Sequence, residues 1–433
     1  MMMPKKTALR IAKKIAEKKA TVGVVGLGYV GLPLAMLCAQ KGFRVMGIDS
    51  DQAKVIRLQH GRTSMSGVSE ETLQVLLTGR KLAVLGNYAI LSRCDVIVIC
   101  VATPLTDGGE PDYTQLFLAL EGVASRLRPE QLLIVESTII PGTTLEVILP
   151  RLAAGGMKVG QDFYLVFSPE RIDPGNKQYR LENTPKLVAG VTADCLQLGQ
   201  DFYRSLAIEV IPVSTPTVAE MAKLLENTYR DVNIAFINEM AEVCRDLEID
   251  IWEVIAAAAT KPFGFQPFYP GIGVGGHCIP KDSAYYLFWA RQKGRPAHLV
   301  ELARKINAER PMAVAAQLKE LVAVKQRGLA GSRLLFLGAT YKKDVDDIRE
   351  SPAVKIMERC AAEGAEIAFH DPYIEKLRLG EQILSRISLD EETLAQYQWT
   401  ILTVPHSSYD YPWLQTVCAH FVDVSHTLGT RDK

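Results

Sequence analysis

The chain has 433 residues, too many for one hydrophobic core, so two or three domains are expected. Its 49 Lys and Arg balance 49 Asp and Glu, leaving no global field to draw in nucleic acid, and apolar runs such as Val96–Ala102 are far too short to span a bilayer. Eight cysteines without a C-x-x-C pair argue against a zinc site or a disulfide framework and for a reducing, cytoplasmic setting; no metal is expected.

Met1–Ala20 carries seven Lys and Arg against Glu17, with Ala8, Leu9, Ile11, Ala12, Ile15 and Ala16 at helical spacing. This is a basic amphipathic helix without the apolar core of a secretory signal, and it either packs on the first domain or meets a membrane surface. Thr21–Val25 then reads as a short strand feeding Gly26-Leu-Gly28-Tyr29-Val30-Gly31 and a helix through Lys41. In this strand–turn–helix context the glycines form a dinucleotide fingerprint: Gly26 for the tight turn, Gly28 for backbone approach to a pyrophosphate, Gly31 for close packing. A second strand, Phe43–Ile48, ends in Asp49, where an acid takes the ribose hydroxyls and repels a 2′-phosphate, so NAD is expected over NADP.

Strands at Asp95–Val101 and Leu132–Glu136 run into Thr103-Pro104 and Ser137-Thr138, and Tyr164–Phe167 runs into Ser168-Pro-Glu170-Arg171. Ligands of open parallel sheets lie outside the strand C-terminal ends, so Thr103, Thr138 and Glu170 are candidates for the nicotinamide rim. Plain turn chemistry serves Thr103 equally well.

After Ile208–Val213 a long helix is expected to about Leu247, opened by a Thr217/Glu220 capping box or by Pro216 in its first turn. Lys223 and Asn227 lie four apart on it and therefore share a face, either in solvent or aimed at something polar or anionic. Further helices are read at Trp252–Ala259, Ser283–Gln292 and Leu299–Asn307. Between them, Gly271-Ile-Gly-Val-Gly275-Gly-His277-Cys278-Ile-Pro-Lys281-Asp282 reads as a reactive loop. Glycines allow close backbone approach to a ligand, and Pro280 suits a first helical turn. Cys278 would precede a helix N-terminus with Lys281 nearby, which favours the thiolate.

A third unit starts near Gly331, with a strand at Arg333–Leu337 and a helix opening at Ser351-Pro352. Gly364 precedes an apolar strand ending at Asp371, seven residues on, as Gly42 precedes the strand ending at Asp49. Trp399–Val404 and Phe421–Val424 continue a parallel sheet. This copy lacks the glycine-rich loop, so it is expected to cap a nucleotide-bearing substrate through Lys342, Lys343 and Arg349 instead of binding a second dinucleotide.

After residue 20 the chain resembles the nucleotide-sugar 6-dehydrogenases that act on UDP-glucose, GDP-mannose and UDP-N-acetylhexosamines. The resemblance rests on Val24-Val-Gly-Leu-Gly-Tyr-Val-Gly-Leu-Pro33, Ser168-Pro-Glu170, Ala219-Glu-Met-Ala-Lys223-Leu-Leu-Glu-Asn227, Gly275-Gly-His-Cys278-Ile-Pro-Lys-Asp282 and Tyr341-Lys342-Lys-Asp-Val-Asp-Asp-Ile-Arg349-Glu-Ser. It implies an α/β protein of two Rossmann-like parallel-sheet domains joined by a long central helix and helical domain. Residues 1–20 form the helical extension, 21–213 bind NAD, 214–310 form the central dimerisation domain with the cysteine loop, and 311–433 bind the UDP-sugar; the assembly is a homodimer or higher homo-oligomer.

The resemblance also implies roles. The reaction is a four-electron oxidation of the sugar's primary alcohol by two NAD through a Cys278 thiohemiacetal and thioester. Lys223 and Asn227 stabilise oxygen-centred charge, Asp282 orients or deprotonates water, and Glu170 and Thr138 assist through a bound water. Gly26, Gly28, Tyr29, Val30, Gly31, Asp49, Lys54, Thr103, Thr138, Lys281 and Arg349 lie around NAD. Glu170, Arg171, Lys223, Asn227, Gly271, Gly275, His277 and Lys342 line the substrate. Pro174, where the UDP-glucose enzymes place a second glutamate, and His277, where they place serine, point to an N-acetylhexosamine substrate, GlcNAc or ManNAc, with UDP-glucose as the alternative. A two-electron hydroxyacid dehydrogenase would need neither Cys278 nor the third unit, and a non-catalytic nucleotide sensor would have no use for the Cys278 constellation.

Overall fold

The computed structural model describes residues 6–63, 65, 67–173, 176, 178–276, 278–325 and 328–425. The chain folds as two compact units: residues up to Glu226 together with Ala284–Lys293, and Asn227–Ser283 together with the chain from Gly294 onward.

The first unit is built on eight strands: β1 (Thr21–Val25), β2 (Arg44–Ile48), β3 (Leu82–Leu85), β4 (Val96–Ile99), β5 (Gln131–Val135), β6 (Phe163–Phe167), β7 (Lys186–Gly190) and β8 (Val210–Pro212). Their spatial order is β3-β2-β1-β4-β5-β6-β7-β8, with strand order reversing between β1 and β4. Alternate residues of single strands feed two cores: Val22, Val24, Val96 and Val98 join one cluster, and Val25, Ile97 and Ile99 the other. Burial on both faces is why these strands read as continuous apolar runs. One pair departs from the expected parallel sheet. β7 lies antiparallel to β6: among the described residues of 168–185 there is no helix to carry a right-handed crossover.

The N-terminal helix Lys6–Ala16 buries Ala8, Ile11 and Ile15, packs along the helix Ala193–Ser205 and is pinned by Lys14 to Asp95 at 2.8 Å and Arg10 to Glu130 at 2.7 Å. Its basic face is thus partly consumed within the unit.

The second unit carries β9 (Arg333–Leu337), β10 (Glu366–His370), β13 (Trp399–Leu402) and β14 (Phe421–Asp423) as a parallel sheet ordered β10-β9-β13-β14, and the antiparallel hairpin β11 (Lys376–Leu379) and β12 (Gln382–Ser385), which the sequence reading did not anticipate. The echo between the two sheets is geometric. The Gly26 N–H donates to the Ile48 carbonyl and the Leu27 N–H to Asp49; the Gly338 N–H donates to the His370 carbonyl and the Ala339 N–H to Asp371. Gly26 and Gly338 have φ of 91° and 94°, a conformation that costs a glycine little.

The central helix runs Pro216–Asp246 and the next Ile251–Ala259. The helix expected over Leu299–Asn307 extends across His298–Lys325, passing through Pro311, because Val314, Ala315, Leu318 and Val322 are buried in the second unit's core. Glu220 does not close a capping box with Thr217. Its buried carboxylate accepts the Gly142 and Thr144 N–H groups at 2.6 and 2.8 Å, and the helix is opened by Thr215 Oγ1, which accepts the Val218 N–H.

Candidate active site

In the first unit the glycine loop follows β1 and opens the helix Gly31–Gln40. A Cβ on Gly26 would lie 2.8 Å from the Cys100 carbonyl oxygen and one on Gly31 would lie 1.8 Å from the Gly26 carbonyl oxygen, so both glycines are demanded by the turn itself. Gly28 differs: a Cβ there would meet nothing within 4 Å, and the open space above its backbone is a cradle for a ligand. Tyr29 and Val30 flank it, half-buried. Asp49, at the end of β2, is buried and accepts from the Leu27 N–H at 2.9 Å, the Asp51 N–H at 3.0 Å and the Lys54 ammonium at 2.9 Å. An open glycine, a helix N-terminus and an acid on the next strand fit the pyrophosphate and adenosine ribose of NAD.

Two strand ends away, the Thr103 hydroxyl donates to the Thr138 carbonyl at 2.8 Å, and the Tyr285 hydroxyl donates to the Thr103 carbonyl at 2.7 Å. Thr103 is therefore a brace of the rim, joining the β4 and β5 ends. Glu170 Oε1 accepts the Arg171 and Ile172 N–H groups at 2.7 and 2.6 Å, while Oε2 lies 3.5 Å from the Lys186 ammonium. Arg171 is held by Glu226 at 2.8 Å and by the Pro185 carbonyl at 2.7 Å. Burial pushes Glu170 up, but Lys186, the Ile172 N–H, Lys223 and the Arg171 N–H together hold it below the usual range. Lys223 is only 8% exposed, which resolves its face of the central helix as covered.

Sequence reading missed a group here. Glu136 follows β5 and Lys186 opens β7; both are buried, 2.9 Å apart, and the Tyr203 hydroxyl donates a short bond to Glu136. The available signal was a charge abutting each apolar run, Leu132–Val135 and Leu187–Ala189.

In the second unit, the helix carrying the reactive residues begins earlier than expected, at Ile279, so that Pro280, Lys281 and Asp282 occupy its first turn. Cys278 stands immediately before it, partly exposed, its carbonyl accepting the Asp282 N–H at 2.9 Å. Asp282 is 1% exposed, receives the Asn227 amide at 2.6 Å and lies 3.4 Å from the Lys281 ammonium.

Gly275 and Gly276, just before Cys278 in the loop, are demanded by protein contacts. A Cβ on Gly275 would lie 2.7 Å from Pro352 Cδ, and one on Gly276 would lie 2.6 Å from the Tyr341 ring. The Gly276 N–H donates to the Arg349 carbonyl, and the Arg349 guanidinium is paired in a fork with Asp347. Gly271 is clamped on both sides of its Cα: its N–H donates to Asn238 at 2.9 Å and its carbonyl accepts from the Arg310 Nε–H at 2.9 Å. Lys342 is half-buried on the loop after β9, and His277 and Pro174 lie outside the described residues.

Comparison with known proteins adds to this geometry. The NAD binding, central and UDP binding domains of the UDP-glucose/GDP-mannose dehydrogenase family match residues 20–207, 217–309 and 335–428. The chain belongs to that family. It is an NAD-dependent nucleotide-sugar dehydrogenase, and its UDP binding domain fits a UDP-sugar substrate. The dehydrogenase is 33% identical to the UDP-N-acetyl-D-glucosamine 6-dehydrogenase of Pseudomonas aeruginosa over 91% of its own length and 89% of the relative's. It is 36% identical to the UDP-N-acetyl-D-mannosamine dehydrogenase of Pyrococcus horikoshii over 82% and 84%. Among solved structures it is similar to a UDP-D-ManNAc dehydrogenase from P. horikoshii, at TM-score 0.83 and 31% identity over 95% of this chain and 96% of that one. A UDP-glucose dehydrogenase from Pyrobaculum islandicum gives TM-score 0.82 and 25% identity over 94% of each. Backbone likeness alone therefore does not select the sugar. Among the dehydrogenase's described residues no helix is long and apolar enough to cross a membrane, and no group of three or more His, Cys, Asp or Glu is placed to hold a metal ion.

Proposed function

We propose that the dehydrogenase oxidises the C6 primary alcohol of a UDP-N-acetylhexosamine to the carboxylate through a covalent intermediate on Cys278. The observation that carries this reading is the N-terminal turn of the helix Ile279–Gln292, which holds Cys278 at its start and Asp282, bonded to Asn227, one turn on. A thiol at that position faces the positive end of the helix dipole, which favours its thiolate.

NAD would be held by the Gly26–Gly31 loop and Asp49 and, with one molecule exchanged for a second between the steps, would supply one hydride acceptor for each of the two oxidations. In the first, the C6 alcohol loses a hydride and its hydroxyl proton and becomes an aldehyde. The Cys278 thiolate adds to the aldehyde carbon; the resulting oxyanion takes a proton, giving a thiohemiacetal that cannot escape. Loss of a second hydride and a proton leaves a thioester. Water then adds to the thioester carbonyl, the C–S bond breaks, and the carboxylate and the regenerated thiol leave. Lys223 and Asn227, one helical turn apart, supply a cation and an amide donor for the oxygen charge that develops, while Asp282, with Glu170 and Thr138, orients the water and takes its proton. Lys54, Thr103, Lys281 and Arg349 complete the cofactor surroundings, and Arg171, Gly271, Gly275, His277 and Lys342 those of the sugar nucleotide.

The acetamido substrate is supported by the similarity to UDP-GlcNAc and UDP-ManNAc dehydrogenases; the likeness in fold to a UDP-glucose dehydrogenase keeps UDP-glucose as the second reading. A homodimer is supported by the central helix, where Val218, Leu225, Tyr229, Phe236 and Val243 are all exposed at spacings of seven, four, seven and seven. Eight free thiols and the use of NAD support the cytoplasm, and a UDP-uronate product supports polysaccharide assembly as its destination. Initial NADH formation with UDP-glucose, UDP-GlcNAc, UDP-ManNAc and UDP-GalNAc at equal concentration decides the sugar, and two NADH per sugar decides the reaction. A clear preference for UDP-glucose overturns the acetamido assignment, and one NADH per sugar overturns the four-electron mechanism.

A further inference from the structure

The first unit encloses two carboxylates and one ammonium that the reaction scheme uses only in part. Lys186 points into the interior from the start of β7, its Nζ 2.9 Å from Glu136 Oε2 and 3.5 Å from Glu170 Oε2, and 5.2 Å from the centroid of the Tyr203 ring. Glu136 Oε1 accepts the Tyr203 hydroxyl. Glu170 faces the same ammonium but is served differently, with two backbone N–H groups on Oε1 and the field of Lys223.

We propose that Lys186 and Glu136 are positioning residues for Glu170: Lys186 keeps the Glu170 carboxylate ionised and aimed, and Glu136 shares that ammonium and carries the exchangeable proton of the cluster. The proposal rests on the reading of Glu170 as a catalytic group, and extends it to two side chains that do not touch substrate.

Charge counting supports it. With both acids ionised, Lys186 balances one carboxylate and the field of buried Lys223 falls on Glu170; since burial of an uncompensated charge is costly, Glu136 is the acid left to retain a proton. Its resting place follows from the donors. Apart from Lys186, Glu136 has the Tyr203 hydroxyl, and the groups around it are Glu170, the Cys100 thiol at the end of β4 and the Cys38 thiol of the helix Gly31–Gln40. Burial lifts Glu136 to about 7; Lys186 opposes the lift and Glu170 adds to it. Lys186, which burial alone would push down, is held above the usual lysine range by Glu136 and Glu170. As pH rises through neutrality, Glu136 gives up its proton and competes for Lys186, so the charge beside Glu170 changes.

The test is the pH profile of kcat from pH 5.5 to 9, with NAD and whichever of UDP-GlcNAc or UDP-ManNAc is turned over. The variants are Glu136→Gln, Lys186→Met, Lys186→Arg and Glu170→Gln, with NAD affinity and thermal midpoint as controls for folding. Glu136→Gln is expected to lose the inflection near neutral pH. Lys186→Met is expected to move the acidic limb upward by about one unit, as loss of a counter-charge should, and Lys186→Arg to restore it. If Lys186→Met does not fold, Glu136→Gln and Lys186→Arg still decide. A profile of Glu136→Gln superimposable on the parent, inflection included, overturns the proposal. Normal acid formation by Glu170→Gln instead overturns the catalytic reading of Glu170, a separate failure with a separate signature.

Discussion

The Asn227 amide donates to the Asp282 carboxylate at 2.6 Å, with both side chains buried. The bond joins the central helix to the first turn of the helix that follows Cys278, so the residue proposed as an oxyanion donor also fixes the proposed acid. Asn227→Leu is expected to lower kcat by about 10²–10³-fold, the cost of removing one oxyanion donor. It should also destabilise the second unit by about 1–3 kcal/mol through the stranded carboxylate. Steady-state kinetics with a thermal melt check both; an unchanged kcat removes Asn227 from the mechanism.

Cys278 precedes a helix and is partly exposed, the setting of a nucleophile and not of a packed hydrophobe. Cys278→Ala should abolish acid formation and leave NAD affinity nearly intact, because the pyrophosphate and ribose contacts are assigned to the glycine loop and Asp49. Product analysis by mass spectrometry checks it. Normal carboxylate yield would end the covalent mechanism.

Asp49 combines a salt bridge to Lys54 with the Leu27 N–H of the glycine loop. Asp49→Ala removes a ribose partner and a repulsion toward a 2′-phosphate while leaving Lys54 in place, so the ratio of kcat/KM for NAD over NADP should fall by about tenfold or more, the worth of one charged hydrogen bond. If the parent enzyme uses NADP as well as NAD, the role given to Asp49 is wrong.

How much of this was legible in the sequence depended on whether a residue's signal was local. β1, the glycine loop and Asp49 were legible because strand, turn and helix signals there agree within thirty residues, and the Gly42–Asp49 and Gly364–Asp371 spacings carried the echo that the two N–H···Asp bonds make physical. Of the two readings of the central helix start, Pro216 in the first turn holds and the Thr217/Glu220 capping box does not, because the partners of Glu220, Gly142 and Thr144, are distant in sequence. The charge of Lys186 beside an apolar run was legible but its partners were not: only the long-range register of β7 beside β6 brings it to Glu136 and Glu170. Of the reactive-loop glycines, Gly275 and Gly276 are demanded by Pro352 and Tyr341, some seventy residues on, a packing reason that no local signal carries.

The exposed row Val218, Leu225, Tyr229, Phe236 and Val243 repeats at nearly the period of a packed helix pair. The proposed dimer should therefore break when the row is charged. Phe236→Glu is expected to halve the mass seen by light scattering at micromolar concentration. A parent enzyme that is already monomeric under those conditions would remove the dimer from the proposal.

Acid lability offers a last test, centred on the end of β10. His370 is half-buried, its Nδ1 3.2 Å from the Tyr409 hydroxyl, which itself donates to the His370 carbonyl at 2.9 Å. Burial lowers the imidazole to about 4, helped by the Arg386 charge and the nearby His406, against the pull of Asp371. In the unfolded chain the same ring titrates near 6.5. Between those two values the unfolded state binds the extra proton and the folded state does not, so this residue's contribution is complete above about 6.5 and is lost progressively as pH falls toward 4. Its exposure to solvent screens part of the effect. His370→Gln keeps a polar side chain that cannot titrate. Its unfolding midpoint in urea should accordingly drop less than the parent's between pH 7.5 and 5, with the gap closing at neutral pH. Parallel curves for the two proteins across that window would show that His370 is protonated as readily in the folded unit as in the open chain.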